Sequence, residues 1–238
     1  TTIAFVHLGA GAERRFSFFR NPGADTMLTA NELPSQLIRR AAIFHMGSLS
    51  LSRSPVREAT LAALQMARDA DCLISYDPNY RAQLWPDEKT AVAAMRSVLD
   101  RVDILKVSED ELGLISKTGD RSSAIDALLA KGIRLVLVTQ GSKGTWYKCK
   151  SASGFVPAFK VRAVDTTGAG DAFMGAFLYQ VRQQGDAELE KIGPETLEKM
   201  VRFANAAGAL TTTRYGGMPA VPDMVAIRRL CNQSTRQT

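Results

Sequence analysis

The residues best suited to chemistry stand together at 165–173, in the order DTTGAGDAF. They follow a short β-like stretch and open an apolar helical run, DAFMGAFLYQV. Gly168 and Gly170 permit unusual backbone angles and let a ligand approach the main chain closely. The amides of Ala169, Gly170 and Asp171 would then point outward at a helix N-terminus, an arrangement that binds phosphate and other anions. The Asp171 carboxylate stands where those amides converge, so it could accept a proton from an attacking hydroxyl. Positioning, anion stabilisation and a base for the nucleophile are the components of phosphoryl transfer. The plain alternative is a glycine-rich turn in which Asp171 only caps the helix.

Two other nucleotide motifs are absent. No GxxxxGK[ST] loop occurs, and Phe173 stands where the dinucleotide fingerprint would need its third glycine. The 238 residues are 45% hydrophobic and 23% charged, an ordinary globular balance that excludes disorder, collagen and coiled coil as the main architecture. That length fits one large domain, or one with a small lobe. The net charge of +6, from 30 basic and 24 acidic residues, is modest and scattered. No basic stripe with interleaved aromatics points to nucleic acid, and no apolar run approaches the roughly 20 residues of a membrane span. Cys72, Cys149 and Cys231 are far apart, odd in number and form no CxxC pair, which indicates a reduced, intracellular, cytoplasmic setting. With His7 and His45 the only histidines, a His/Cys metal centre is not expected. His45 reads as core or sheet-end packing. The first residues have neither Met nor signal-peptide character, so a true N-terminus, with any targeting signal, is expected upstream.

The elements that must position these groups alternate along the chain. Residues 2–8 and 14–20 alternate as two strands of a hairpin, which fits a second, small sheet. Helical patterns cover 34–40, 54–70, 87–101, 109–115, 122–131, 169–184 and 194–212. Strand-like runs lie at 42–46, 72–76, 104–107, 135–139 and 144–149, with a short edge strand at 159–161. Strands alternating with helices predict an α/β fold with parallel crossovers. The tail after Arg228 reads as polar and frayed.

DTTGAGDAF resembles the C-terminal signature of ribokinase-like (PfkB) carbohydrate kinases. The likeness runs in order over nearly the whole chain: AERRFSFFR near the start, DPNYR at 77–81, SEDE at 108–111, TQGSKG at 139–144 and RFANAAGALTTTRYGGMPAVP at 202–222. Within the family this combination is most similar to fructokinases. The resemblance implies a three-layer α/β/α sandwich with a mostly parallel sheet and a small β lid. It also implies one kinase domain over 1–238, with residues 2–30 contributing to the lid. The implied reaction is ATP-dependent phosphorylation of a sugar primary hydroxyl, fructose to fructose 6-phosphate. Two alternatives stay open: another sugar kinase of the family, such as a 2-keto-3-deoxygluconate kinase or ribokinase, and a non-catalytic sugar- or partner-binding relative.

Residue by residue, the resemblance makes Asp171 the base and the amides from Gly168 through Ala169 and Gly170 to Asp171 the anion hole. Thr139, Gly141 and Gly144 would line the ATP site. Lys143 would lie near the phosphates, or at the loop surface. Asn205 would approach the adenine region, or serve only the helix, and Gly208 would let that helix pass close to the nucleotide. Glu111 matches the acidic end of an NxxE motif that supports Mg²⁺, through water; Ser108 stands where the family has Asn, and an exposed helix-start glutamate is the alternative. Asn79 and Arg81, leaving a strand end after Asp77, would meet sugar or phosphate, unless they only form a turn. Arg20 would reach the sugar from the lid, or pair within the hairpin, and Lys106 is a further substrate-side candidate. Asp165 and Thr167 would help hold K⁺ behind the anion hole. The hairpin edge offers a homodimer contact.

The family has about eighty further residues before the segment matching Thr1, which would supply the first strands and part of the sugar pocket. The expectation for the 238 residues alone is a poorly folded or inactive piece with an uncovered sheet edge.

Overall fold

Strands β1 (Ile3–Leu8) and β2 (Arg14–Phe19) pair antiparallel, with Ile3 opposite Phe19 and Leu8 opposite Arg14. In this computed structural model the described residues are 2–8, 14–20, 23–116, 118–185 and 189–234; the expected hairpin turn at 9–11 and the residues 21–22 lie outside them. The two strands form a sheet of their own, as the alternation predicts. Phe5 and Phe19 meet edge to face at 5.6 Å between ring centroids, and both are exposed. The chain divides into two compact units, the first ending at Val136 and the second beginning at Leu137.

In the first unit, α1 (Ser35–Arg39), β3 (Ile43–Gly47), α2 (Val56–Asp69), β4 (Leu73–Asp77), α3 (Glu88–Arg96), β5 (Ile104–Ser108), α4 (Glu109–Ser116) and α5 (Arg121–Leu129) lead to β6 (Leu135–Thr139), which crosses the division. Strands β3, β4 and β5 are parallel neighbours. Ile74, Tyr76, Ile104 and Leu105 are fully buried, the pattern of a strand covered on both faces. Helix α2 turns Ala59, Ala63, Leu64 and Ala67 inward at three- and four-residue spacing. Asp87 and Asp120 cap α3 and α5 by accepting the amides of Thr90 and Ser123. Asp103 pins the far end of the sheet: its carboxylate accepts Ile74 N–H at 2.8 Å, and its carbonyl accepts Arg134 N–H and Leu135 N–H.

The expected helix at 87–101 stops at Arg96. Val98 and Leu99 turn into the core, and Leu99–Arg101 forms a 3-10 turn instead. His45 is exposed on β3, with Nδ1 3.0 Å from Ser75 Oγ, so it is not a core residue.

In the second unit the strand order is β6, β7 (Gly144–Cys149), β8 (Ser153–Pro157), the last two antiparallel. Gly144 has φ 136°, and a Cβ there would lie 2.2 Å from the Val156 carbonyl oxygen, so only glycine allows this pairing. Helices α6 (Ala169–Gln183), α7 (Pro194–Thr211) and α8 (Met224–Ser234) follow. Two expectations are corrected. The edge strand is at 153–157, not 159–161: the last bond to the β7 side is Ala158 N–H to Lys143 O at 3.1 Å, and Phe159 leaves to pack with Phe203, Ala206, Ala207 and Ile227. The polar tail is helical through Ser234, because Met224, Ile227, Leu230 and Cys231 recur at helical spacing against that same cluster. Among the described residues no helix is long and apolar enough to cross a membrane.

Candidate active site

The second unit carries the glycine-rich signature. Gly168 caps α6 with φ 76°, and a Cβ on it would stand 3.4 Å from Gly217 Cα. The first helical bond runs from Ala172 N–H to Gly168 O at 2.8 Å. The sequence put three amides, those of Ala169, Gly170 and Asp171, into an anion hole. Ala169 N–H instead donates to Thr166 O at 3.2 Å, closing the turn that presents the helix. The amides of Gly170 and Asp171 donate to nothing among the described residues. Two uncommitted donors at a helix N-terminus suit an anion.

Gly170 faces a cavity of about 400 Å³, within the size range of a small-molecule site. Thr139, Gly141, Ser142 and Gly144 border it from the strand ends, and Phe159, Val161 and Phe173 make it largely apolar. Asn205 and Gly208 contribute from α7. Gly208 lets α7 crowd the start of α6: a Cβ there would lie 3.1 Å from Ala169 O. Lys143 is exposed on the turn closed by Gln140 N–H to Gly144 O and stands outside the lining. Lys160, which sequence reasoning passed over, is in it.

Asn205 is neither on a helix surface nor a backbone cap. It is buried, its Oδ1 accepts the Thr145 hydroxyl at 2.7 Å, and its Nδ2 donates to the Val156 carbonyl at 3.0 Å. Thr145 was missed because its partner is 60 residues away.

Asp171 is exposed in the first turn of α6 and borders a separate groove of about 370 Å³ with Gly175, Tyr179 and Met224. Asp165, behind the signature, is buried. Its Oδ1 accepts the amide and hydroxyl of Thr167 at 2.9 and 2.7 Å, and its Oδ2 accepts Gly216 N–H at 2.9 Å. Asp165 therefore ties the loop before α6 to the loop after α7. Its oxygens and the Thr167 hydroxyl oxygen are hard donors of the kind K⁺ takes.

The first unit holds the remaining candidates. Lys106 on β5 donates to Asp77 on β4, Nζ to Oδ2 at 2.8 Å, with both side chains buried. Asn79 has φ 47°, and its amide donates to Asp77 Oδ1 at 3.2 Å. Arg81 donates from Nη1 to the Tyr80 carbonyl at 2.9 Å and is half-buried. Arg20 is drawn inward: Nε meets Asp25 at 2.8 Å, Nη1 meets Ser52 Oγ and Nη2 meets Leu49 O, both at 3.3 Å. Arg20 also helps hold the Asp25 carboxyl below its ordinary range, alongside the Thr2 hydroxyl and against burial, which acts the other way and is the largest single influence. The observed partners of Arg20 and Lys106 are thus structural.

Glu111 is buried, not an exposed helix-start glutamate. Its Oε1 accepts Tyr80 N–H at 2.7 Å and its Oε2 accepts Ser108 N–H at 2.8 Å, while Glu111 N–H donates to Ser108 Oγ at 3.2 Å. Mg²⁺ needs short contacts to oxygen in near-octahedral geometry and keeps several waters. Both Glu111 oxygens already face backbone donors, so only their remaining lone pairs could meet such a water. Among the described residues no cluster of three His, Cys, Asp or Glu could hold a metal ion. These residues fit Mg²⁺ carried in on phosphates and water, not a cage of side chains.

The family model for pfkB carbohydrate kinases matches residues 1–224. Fructokinase-1 of Zea mays is 44% identical over 238 residues, covering 98% of this chain and 72% of the relative. The crystal structure of fructokinase with bound ATP from Xylella fastidiosa superimposes with a TM-score of 0.90 at 33% identity, over 99% of this chain and 74% of that one. A fructokinase from Vibrio cholerae O395, holding fructose, ADP and calcium, superimposes at 0.87 with 31% identity, over 97% and 73%. The mostly parallel sheet with flanking helices and a small antiparallel sheet is the ribokinase-like fold that the resemblance implied. On the match of nearly the whole chain, together with this fold, the protein belongs to the pfkB family of carbohydrate kinases.

Proposed function

We propose that the protein is an ATP-dependent fructokinase, transferring the γ-phosphoryl group to a primary hydroxyl of fructose to give fructose 6-phosphate. The observation that carries this reading is the start of α6. The uncommitted amide of Gly170 faces a nucleotide-sized cavity, and the uncommitted amide and the carboxylate of Asp171 follow on the same turn, at the neighbouring groove. The names of the relatives and the ligands held by their structures supply the substrate pair.

In this reading the cavity bordered by Thr139, Gly141, Gly144 and Gly208 takes ATP, with Asn205 shaping its wall. Asp171 Oδ accepts the proton of the sugar hydroxyl as its oxygen attacks the γ-phosphorus in line. The bond from that phosphorus to the bridging oxygen breaks, and ADP leaves. The amides of Gly170 and Asp171 stabilise the charge on the transferring group, with Gly168 holding the turn open for it. Mg²⁺, when bound with ATP, neutralises phosphate charge. Asn79 and Arg81 are the sugar- and phosphate-side contacts of the first unit, Lys106 supports Asn79 through Asp77, and Arg20 is the sugar-side candidate of the lid. Asp165 and Thr167 would support a K⁺ ion behind the anion hole.

The β1–β2 hairpin is assigned to the lid that closes over the sugar and excludes water, and its exposed Ile3, Phe5 and Phe19 offer a homodimer contact. All three cysteines are free, which suits the reducing cytoplasm, where we place the enzyme. The test is ADP release over a panel of sugars and sugar acids. Fructose must give the highest kcat/KM. A preference for ribose or 2-keto-3-deoxygluconate would move the protein to another branch of the family, and silence with every sugar, from folded protein, would favour a binding role.

A further inference from the structure

Glu111 does more than cap a helix. The reciprocal pair between Ser108 and Glu111 is a capping box for α4, and it needs only one carboxylate oxygen. The other oxygen accepts the amide of Tyr80, 31 residues earlier, at 2.7 Å. Capping alone does not require burial, yet Glu111 is only 7% exposed. A buried carboxylate is costly unless strong donors satisfy it, and here two charge-assisted bonds to backbone amides do so.

The Tyr80 peptide is held on both sides. Glu111 takes its amide, and its carbonyl accepts Arg81 Nη1 at 2.9 Å. Three residues before Tyr80, Asp77 takes the amide of Asn79, which stands in the left-handed region at φ 47°, while Lys106 fixes Asp77 from the next strand. Asn79 and Arg81 thus leave β4 on a loop clamped at its start by Asp77 and at its middle by Glu111. Beneath the loop the fully buried Tyr76 hydroxyl has no partner among the described residues. Burial, and then the charges of Glu111 and Asp77, push that phenol well above its ordinary range, so it stays neutral.

We infer that Glu111 is a positioning residue, whose carboxylate holds the 77–81 loop, and with it Asn79 and Arg81, in the shape that substrate meets. This rests on the fructokinase reading for its kinetic consequence, but not for its structural one.

The test compares wild type with Glu111→Gln and Ser108→Ala in the full protein. Three quantities are followed: KM and kcat for fructose, the Mg²⁺ concentration for half-maximal rate, and hydrogen exchange of the Tyr80 amide without ligands. A Gln can accept only one of the two amides. Its Tyr80 amide should exchange roughly tenfold faster, its fructose KM should rise several-fold, and its Mg²⁺ half-saturation should stay within about twofold. Ser108→Ala loses the return bond of the cap but keeps the bond to Tyr80, so its KM and Tyr80 exchange should match wild type. A roughly tenfold shift in Mg²⁺ half-saturation with unchanged Tyr80 exchange would overturn the inference in favour of a metal-side role. A lower kcat with unchanged KM and exchange would overturn it in favour of general destabilisation. An unprotected Tyr80 amide in wild type would overturn it without any variant. If wild type phosphorylates no sugar, the fructokinase reading fails, and the exchange measurement still decides the clamp.

Discussion

Thr145 on β7 donates its hydroxyl hydrogen to Asn205 on α7 at 2.7 Å, and Asn205 returns a bond to the Val156 carbonyl on β8 at 3.0 Å. One buried amide therefore joins a helix to two strands along the wall of the candidate nucleotide cavity. Asn205→Ala would leave a buried hydroxyl and a buried carbonyl without this partner. The expected cost is about 2 kcal/mol or more, read as a lower urea midpoint, together with weaker ATP binding. An unchanged midpoint would show that the bonds are not worth their burial.

Lys106 and Asp77 make a buried ion pair at 2.8 Å. Lys106→Met leaves the carboxylate buried without its cation, and removing one partner of such a pair costs about 3–5 kcal/mol. Adding Asp77→Asn should recover much of the loss. Equal stability of the single and double variants in urea unfolding would argue that Asp77 is not committed to Lys106.

Asp120 caps α5 through the Ser123 amide and then its hydroxyl, and both bonds hold its carboxyl below the ordinary value of 3.8. A carboxyl lowered on folding adds stability above its unfolded pKa, and that contribution disappears as pH falls through the folded value. Asp120→Ala should therefore melt at a lower temperature than wild type at neutral pH, with the gap closing as pH falls below the ordinary value of 3.8. A gap that stays constant from neutral to strongly acid pH would remove the charged cap from the account.

The parts of this protein that were legible in the sequence are the local ones. DTTGAGDAF places a left-handed glycine, a helix start and a carboxylate within nine consecutive residues, and Gly168, Ala169 and Asp171 stand where that run implies. Alternation gave the hairpin, and apolar runs gave β3 to β7 within a residue or two. Interactions between distant positions were not legible. Glu111 could be recognised from its spacing to Ser108 but not as the partner of Tyr80, and nothing in AERRFSFFR says that Arg20 turns inward to Asp25, Ser52 and Leu49. Helix α8 escaped notice because polar residues outnumber its four apolar contacts, and only the cluster around Phe159 and Phe203 explains why it forms.

Asp171 is the residue whose loss should separate chemistry from binding. Asp171→Ala should lower kcat by at least roughly 10²-fold, with little change in ATP affinity measured by calorimetry, because the cavity lining keeps Gly170 and its neighbours. Turnover equal to wild type would remove Asp171 from the role of base.

The most direct test of the whole account is the identity of the product. Fructose and ATP are incubated with the enzyme, and the products are resolved by phosphorus NMR. Stoichiometric fructose 6-phosphate and ADP is the predicted result. Phosphate placed at the other primary hydroxyl, or ATP consumed with no sugar phosphate formed, would contradict it.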